Sequence, residues 1–191
     1  LVRNGRIGAV RTIEVGLPSG HPDLAGTAGQ EAPVPPPPQL DYEFWLGPAP
    51  RAPYCPARLH QNWRWHLDYD GGQLLDWVGH HVDVAHWGMG WDQTGPVEVE
   101  GEGEWPTIGL WNTPTKYRID CKYANGVVMT IAGGSPEVRS GTRWIGERGW
   151  LWCDRQGIEA EPKRLLDEPT ASLEIRLPQS SDHHRNFLDC V

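Results

Sequence analysis

The sequence predicts an α+β domain built on a mostly antiparallel, open β-sheet with helices packed on one face. Three observations carry this. Short alternating, β-rich runs recur between residues 97 and 160 at hairpin spacing. One amphipathic helical pattern occupies residues 73–89. Strand–helix–strand repetition is absent, which argues against a parallel doubly wound sheet. A chain of 191 residues suits one domain and can bury roughly two-thirds of its unfolded surface.

The elements follow in order. Ile7–Leu17 alternates and is rich in β-branched residues, ending at Pro18-Ser-Gly-His-Pro22; it reads as a strand. Residues 18–39 are rich in Gly and Pro and close on Pro35–Pro38, which can continue neither a helix nor an inner strand. They form a loop within the domain. Residues 40–71 are irregular and aromatic, so their large side chains must pack onto something. After the helical stretch come alternating runs at 97–103, 116–123 and 127–132, the last two joined by Ala124-Asn125-Gly126. Asn-Gly between β-rich runs marks a hairpin, with positive φ expected at both residues. Residues 143–146 and 150–153 flank Glu147-Arg-Gly149 as a second hairpin, and 158–160 and 173–176 add short strands. Ser180 or Ser181 can cap a final helix that begins at Asp182.

Composition excludes several functions. Asp and Glu number 25 against 17 Lys and Arg, and the arginines are scattered. Nucleic-acid binding needs clustered positive charge, so no such partner is expected. No apolar run approaches the ~20 residues of a membrane span. Cys55, Cys121, Cys153 and Cys190 lie far apart without metal-ligand spacing, as separate reduced thiols do. Of the possible compartments, cytoplasmic is favoured on that ground alone. Gly101-x-Gly103 and Gly88-x-Gly90 lack the rest of a dinucleotide fingerprint, so no cofactor-binding residue is expected in this chain. Both termini read as mid-protein sequence, the chain being expected to be cut at each end. Eleven tryptophans beside two phenylalanines supply large buried surfaces and platforms for sugar rings.

The chemistry concentrates on the central helix. At 100° per residue, Asp76, His80, Asp83 and Trp87 fall at about 0°, 40°, −20° and 20°, one narrow face. Leu74, Val78, Val82, Ala85 and Met89 fall between about 140° and 240° and are expected to pack on the domain. A solvated face would carry Lys, Glu or Gln; this one carries none. An Asp four residues before a His can touch it across one turn and hold its tautomer, which suits a general base. The same residues with His81 and His86 could instead supply metal ligands, although those two histidines point away from the stripe.

Several segments together are similar to the glucose–fructose oxidoreductase / inositol dehydrogenase (Gfo/Idh/MocA) family. They are Leu1-Val-Arg-Asn-Gly-Arg-Ile-Gly8, Phe44-Trp-Leu-Gly-Pro-Ala-Pro50, Asn62-Trp-Arg-Trp65, Gly71-Gly-Gln-Leu-Leu-Asp76, Gly79-His-His-Val-Asp83, Gly95-Pro-Val-Glu-Val-Glu-Gly101, Tyr123-Ala-Asn-Gly126 and Ser181–Phe187. The resemblance implies the C-terminal domain of a two-domain enzyme, spanning residues 1–191, with the Rossmann half absent. It implies Asp76 and His80 as catalytic residues and Asp83 as a substrate contact, with NAD or NADP bound mainly by the missing domain. It further implies a sugar, polyol or glycoside substrate and a homo-oligomer formed through the sheet face, to which Trp144 and Trp150 would contribute. Arg64, Trp65 and His81 are expected to border the substrate pocket. The family's Glu-Lys-Pro lysine motif does not occur in this chain, so no turnover is expected from it in isolation. The competing reading is a non-enzymatic carbohydrate-binding or oligomerisation module.

Overall fold

The computed structural model describes residues 1–167, 169, 174–177 and 179–191. Its centre is a seven-stranded open sheet. In chain order the strands are β1 (Val10–Leu17), β2 (Glu98–Glu104), β3 (Lys116–Lys122), β4 (Val128–Gly133), β5 (Gly141–Gly146), β6 (Gly149–Cys153) and β7 (Ile158–Glu161), arranged in space as β2-β3-β4-β1-β5-β6-β7. Five of the six pairings are antiparallel; β1 and β4 run parallel. The helices are α1 (Tyr42–Leu46), α2 (Gly72–Met89) and α3 (His183–Cys190), with 3₁₀ turns at Pro56–Arg58, His60–Trp65 and Lys163–Leu166. The α+β class holds, with one parallel pair added.

Register explains the layering. Val99, Cys121, Met129, Ile13, Trp144, Leu151 and Ala160 face one another across all seven strands. From Cys121 to Ala160 this row is buried and forms the core beneath α2. One residue along, Asp120, Thr130, Glu14, Arg143, Trp152 and Glu159 form the matching row on the opposite face. Alternation of side chains across a strand turns one register into an apolar face and a polar one.

Local details depart from expectation in instructive ways. The 123–127 hairpin forms, but only Gly126 is left-handed, at φ 84°. Tyr123 N–H donates to Val127 O and Gly126 N–H to Tyr123 O, so the loop is one residue longer and Asn125 stays at negative φ. Residues 42–46, read as irregular, form a short helix because the Asp41 carboxylate accepts from Phe44 N–H. Asp182, not Ser180 or Ser181, caps α3, accepting from Arg185 N–H at 2.9 Å. Of the expected strand at 173–176, Leu173 lies outside the described residues and Glu174–Arg176 is not extended into the sheet.

Candidate active site

Helix α2 positions the stripe, and glycine fixes where the helix begins. Gly72 takes φ 69° and lies so close to the buried Thr113 side chain that a Cβ would collide with it. Gly90, left-handed at φ 71°, ends the helix by returning its N–H to His86 O and Trp87 O. Between these stops the sheet grips one side of the helix. His81 Nδ1 lies 2.9 Å from Gly16 O, which requires the ring proton on Nδ1. Thr142 Oγ1 donates to His81 O at 2.7 Å, and Trp144 Nε1 donates to Ala85 O at 3.3 Å.

The buried residues of α2 are Gly72, Gln73, His81 and Ala85, and Leu74, Trp77, Val82, Val84 and Met89 pack partly buried against the same core, so the face expected from hydrophobicity does meet the domain and the contact extends beyond it toward Gln73. The reason is steric. Ala85 and Gly88 let the helix axis approach Trp144, whose indole sits where a Gly88 Cβ would be. Polar Gln73 and His81 can be buried in the seam, and for His81 a carbonyl waits at the sheet.

This packing leaves Asp76, His80, Asp83 and Trp87 together on an accessible flank. His80 and Asp83 are exposed and Asp76 is partly buried. Asp76 is not hydrogen-bonded to His80, as its spacing suggested. Arg64 takes it instead, with Nε 3.1 Å from Oδ1, both side chains about one-third exposed or less. Arg64 is held in turn by donating to Gln61 O at 3.2 Å and by lying over the Trp63 ring, 5.0 Å from its centroid. His80 meets the edge of Trp77 at 5.4 Å, and Arg155 covers that same indole at 4.8 Å. Asp83 borders a cleft of about 480 Å³ with His86, Trp91 and Asp92. His86 Nε2 is 2.6 Å from the Tyr123 hydroxyl, whose pKa burial raises well above that of a free phenol.

Two residues expected at the pocket border lie in the interior. Trp65 is fully buried, its Nε1 donating to Pro22 O at 3.0 Å and its ring stacked on His21. His81 is 6% exposed and belongs to the α2–sheet seam. Each is consumed instead by a carbonyl far away in sequence. Arg155 went unnoticed in the sequence, since a hairpin arginine 78 positions from Trp77 leaves no local signal. Among the described residues no three His, Cys, Asp or Glu side chains are grouped as metal ligands.

Comparison with known proteins gives the context. A family model described as the oxidoreductase family, C-terminal alpha/beta domain, matches residues 1–190. No curated protein matches the chain. Among solved structures, an aldose–aldose oxidoreductase from Caulobacter crescentus, complexed with glycerol, is 18% identical; the match covers 99% of this chain and 46% of that one, with a TM-score of 0.52. The WlbA dehydrogenase from Bordetella pertussis, in complex with NADH and UDP-GlcNAcA, is 18% identical over 79% of this chain and 37% of its own, with a TM-score of 0.43. An oxidoreductase from Thermotoga maritima is 16% identical over 100% of this chain and 45% of its own, with a TM-score of 0.48. The chain thus spans less than half the length of these structures. With the family model extending from residue 1 to residue 190 and the sheet and helix order described above, the chain belongs to the Gfo/Idh/MocA oxidoreductase family, as its C-terminal α/β domain.

Proposed function

We propose that this chain is the substrate-binding half of an NAD(P)-dependent oxidoreductase acting on a hydroxyl of a sugar, polyol or glycoside. The observation that carries the reading is the accessible Asp76–His80–Asp83 flank of α2, fixed by its buried opposite side to the sheet of an oxidoreductase-family domain. Among the described residues, the parallel β1–β4 pair is not followed by a glycine-rich turn into a helix, and the glycines at the α2 N-terminus are occupied against Thr113 and Leu75. The dinucleotide in this reading is held by a separate domain and supplies the hydride acceptor.

Within this chain, His80 is the general base. Its imidazole is exposed and is held by Trp77 rather than by a competing hydrogen bond, so it is free to take a proton from a substrate hydroxyl. Asp76 orients that hydroxyl, and Arg64 keeps its carboxylate in place. Asp83 accepts a hydrogen bond from a neighbouring hydroxyl one turn further along α2. The polar face of the sheet, left uncovered by α2, serves self-association in the same reading.

The test is kinetic. In the protein joined to its dinucleotide-binding domain, His80→Ala is expected to lower the hydride-transfer rate by ~10²-fold or more. Hydride transfer at the wild-type rate would overturn the assignment.

A further inference from the structure

We infer that the cleft between α1 and the 3₁₀ turn His60–Trp65 is a saccharide subsite, holding a second pyranose ring of a glycoside whose reacting ring sits at His80. The inference rests on the proposed oxidoreductase function only for the fate of that reacting ring. The cleft has a volume of about 510 Å³, within the roughly 300–1,000 Å³ of small-molecule sites. Trp45, Trp63 and Tyr69 line it, with Pro48, Pro50 and the carboxylate of Asp68.

The aromatic walls are held rigidly. Trp45 stacks on Tyr42, centroids 5.8 Å apart and planes 12° apart, and meets Tyr69 nearly perpendicularly at 5.1 Å. The Tyr69 hydroxyl accepts from Nη1 of the buried Arg58 at 3.3 Å. Rigid aromatic faces match the apolar C–H faces of a pyranose at little entropic cost. Asp68 is exposed and accepts no hydrogen bond from any described residue, which leaves both its oxygens for ring hydroxyls.

Continuity with the catalytic flank selects a glycoside over other occupants. The guanidinium of Arg64 touches both sites: it lies over the Trp63 ring of the cleft and pairs with Asp76 of α2. A ligand spanning them has one ring beside Asp76 and the next against Trp63. A polyproline segment would also suit aromatic walls, but it brings few donors for Asp68.

The experiment follows the indole N–H signals of the 191-residue chain by NMR, with Trp45 and Trp63 assigned through Trp→Phe variants. Cellobiose, maltose, methyl glucoside and a proline decapeptide are the titrants. The expected result is that at least one disaccharide shifts the Trp45 and Trp63 signals. Trp45→Ala and Asp68→Asn are each expected to weaken that binding by roughly tenfold, the scale of one lost contact. Asp68→Asn keeps the test decisive if Trp45→Ala does not fold, because the exposed Asp68 side chain makes no hydrogen bond or ion pair with a described residue. The Trp45 and Trp63 signals report occupancy of the cleft without turnover, so loss of the catalytic assignment would leave the subsite standing. Trp45 and Trp63 signals that no sugar moves, sugar binding indifferent to Asp68→Asn, or shifts caused by the proline peptide alone would each overturn the inference.

Discussion

His66 shows how far a residue's surroundings can outweigh its type. Its ring is buried beside Arg58 and Tyr69, and Nε2 has no hydrogen-bond partner among the described residues. Burial first, and the nearby Arg58 charge second, lower its pKa to about 4. The folded protein therefore keeps His66 neutral at pH values where the unfolded chain, titrating near 6.5, is already protonated. The unfolded state binds more protons in that window, so stability is complete above about pH 6.5 and falls as pH drops toward 4. The whole change is worth up to ~3 kcal/mol. Urea unfolding across this pH range is expected to show that slope in the wild type and a flattened one in His66→Phe. An equal slope in both would place the acid sensitivity elsewhere. Residue type alone was a poor guide here and at Trp65 and His81. Trp65 and His81 were expected at the border of the substrate pocket, and both lie in the interior, as His66 does. Asp76 and His80 were legible because helical periodicity fixes neighbours on one element. The Arg64 contact that replaces an Asp76–His80 hydrogen bond comes from another element and was not.

Among the elements, α2 depends on its glycines in opposite ways. A Cβ at Gly88 would lie 2.5 Å from the Trp144 indole, whereas at Gly79 it would meet nothing. Gly88→Ala is expected to push the helix off the sheet and destabilise the fold by about 1–3 kcal/mol, despite the gain in helix propensity. Gly79→Ala, on the open side, is expected to stabilise by up to about 1 kcal/mol. Denaturant midpoints of the two variants check both signs, and a Gly88→Ala protein as stable as the wild type would refute the close packing. The boundaries of α2 and of the strands agree with the sequence to within a few residues, because alternation and capping chemistry are local signals. The apolar face of α2 packs on the core as expected through Leu74, Val82, Ala85 and Met89, but hydrophobicity did not register that Gln73 and His81 are buried beside it or that Gly88 allows close approach to Trp144.

For the whole molecule, the sheet has one committed face and one open face. The committed face carries Ile13, Met129 and Trp144 beneath α2. The open face carries paired polar groups: Thr130 Oγ1 donates to Asp120 at 2.5 Å, Arg143 Nη1 lies 3.4 Å from Glu14, and Arg139 grips Glu159 at 2.9 Å through both terminal nitrogens. Arg143 and Arg139 also cover the rings of Trp150 and Trp152. Rows of this kind, satisfied within one chain and left uncovered by α2, suit an isologous contact in which a second copy meets the same surface. Light scattering is expected to give the mass of a dimer or larger assembly. Ile145→Asp, which plants a charge in the middle of this face between Thr12 and Trp150, is expected to reduce it to a monomer. A wild-type monomer at all concentrations would refute self-association through the sheet.

By itself, the sequence determined the α+β class, the hairpins, the central helix and the grouping of Asp76, His80 and Asp83 on one of its faces. All of these follow from periodicities and turn chemistry that act over a few residues. Only the tertiary structure decided the rest: the parallel β1–β4 pairing, the burial of Trp65 and His81, and the capture of Asp76 by Arg64. Those outcomes depend on which carbonyl, guanidinium or indole arrives from a distant part of the chain, and no local pattern encodes that arrival.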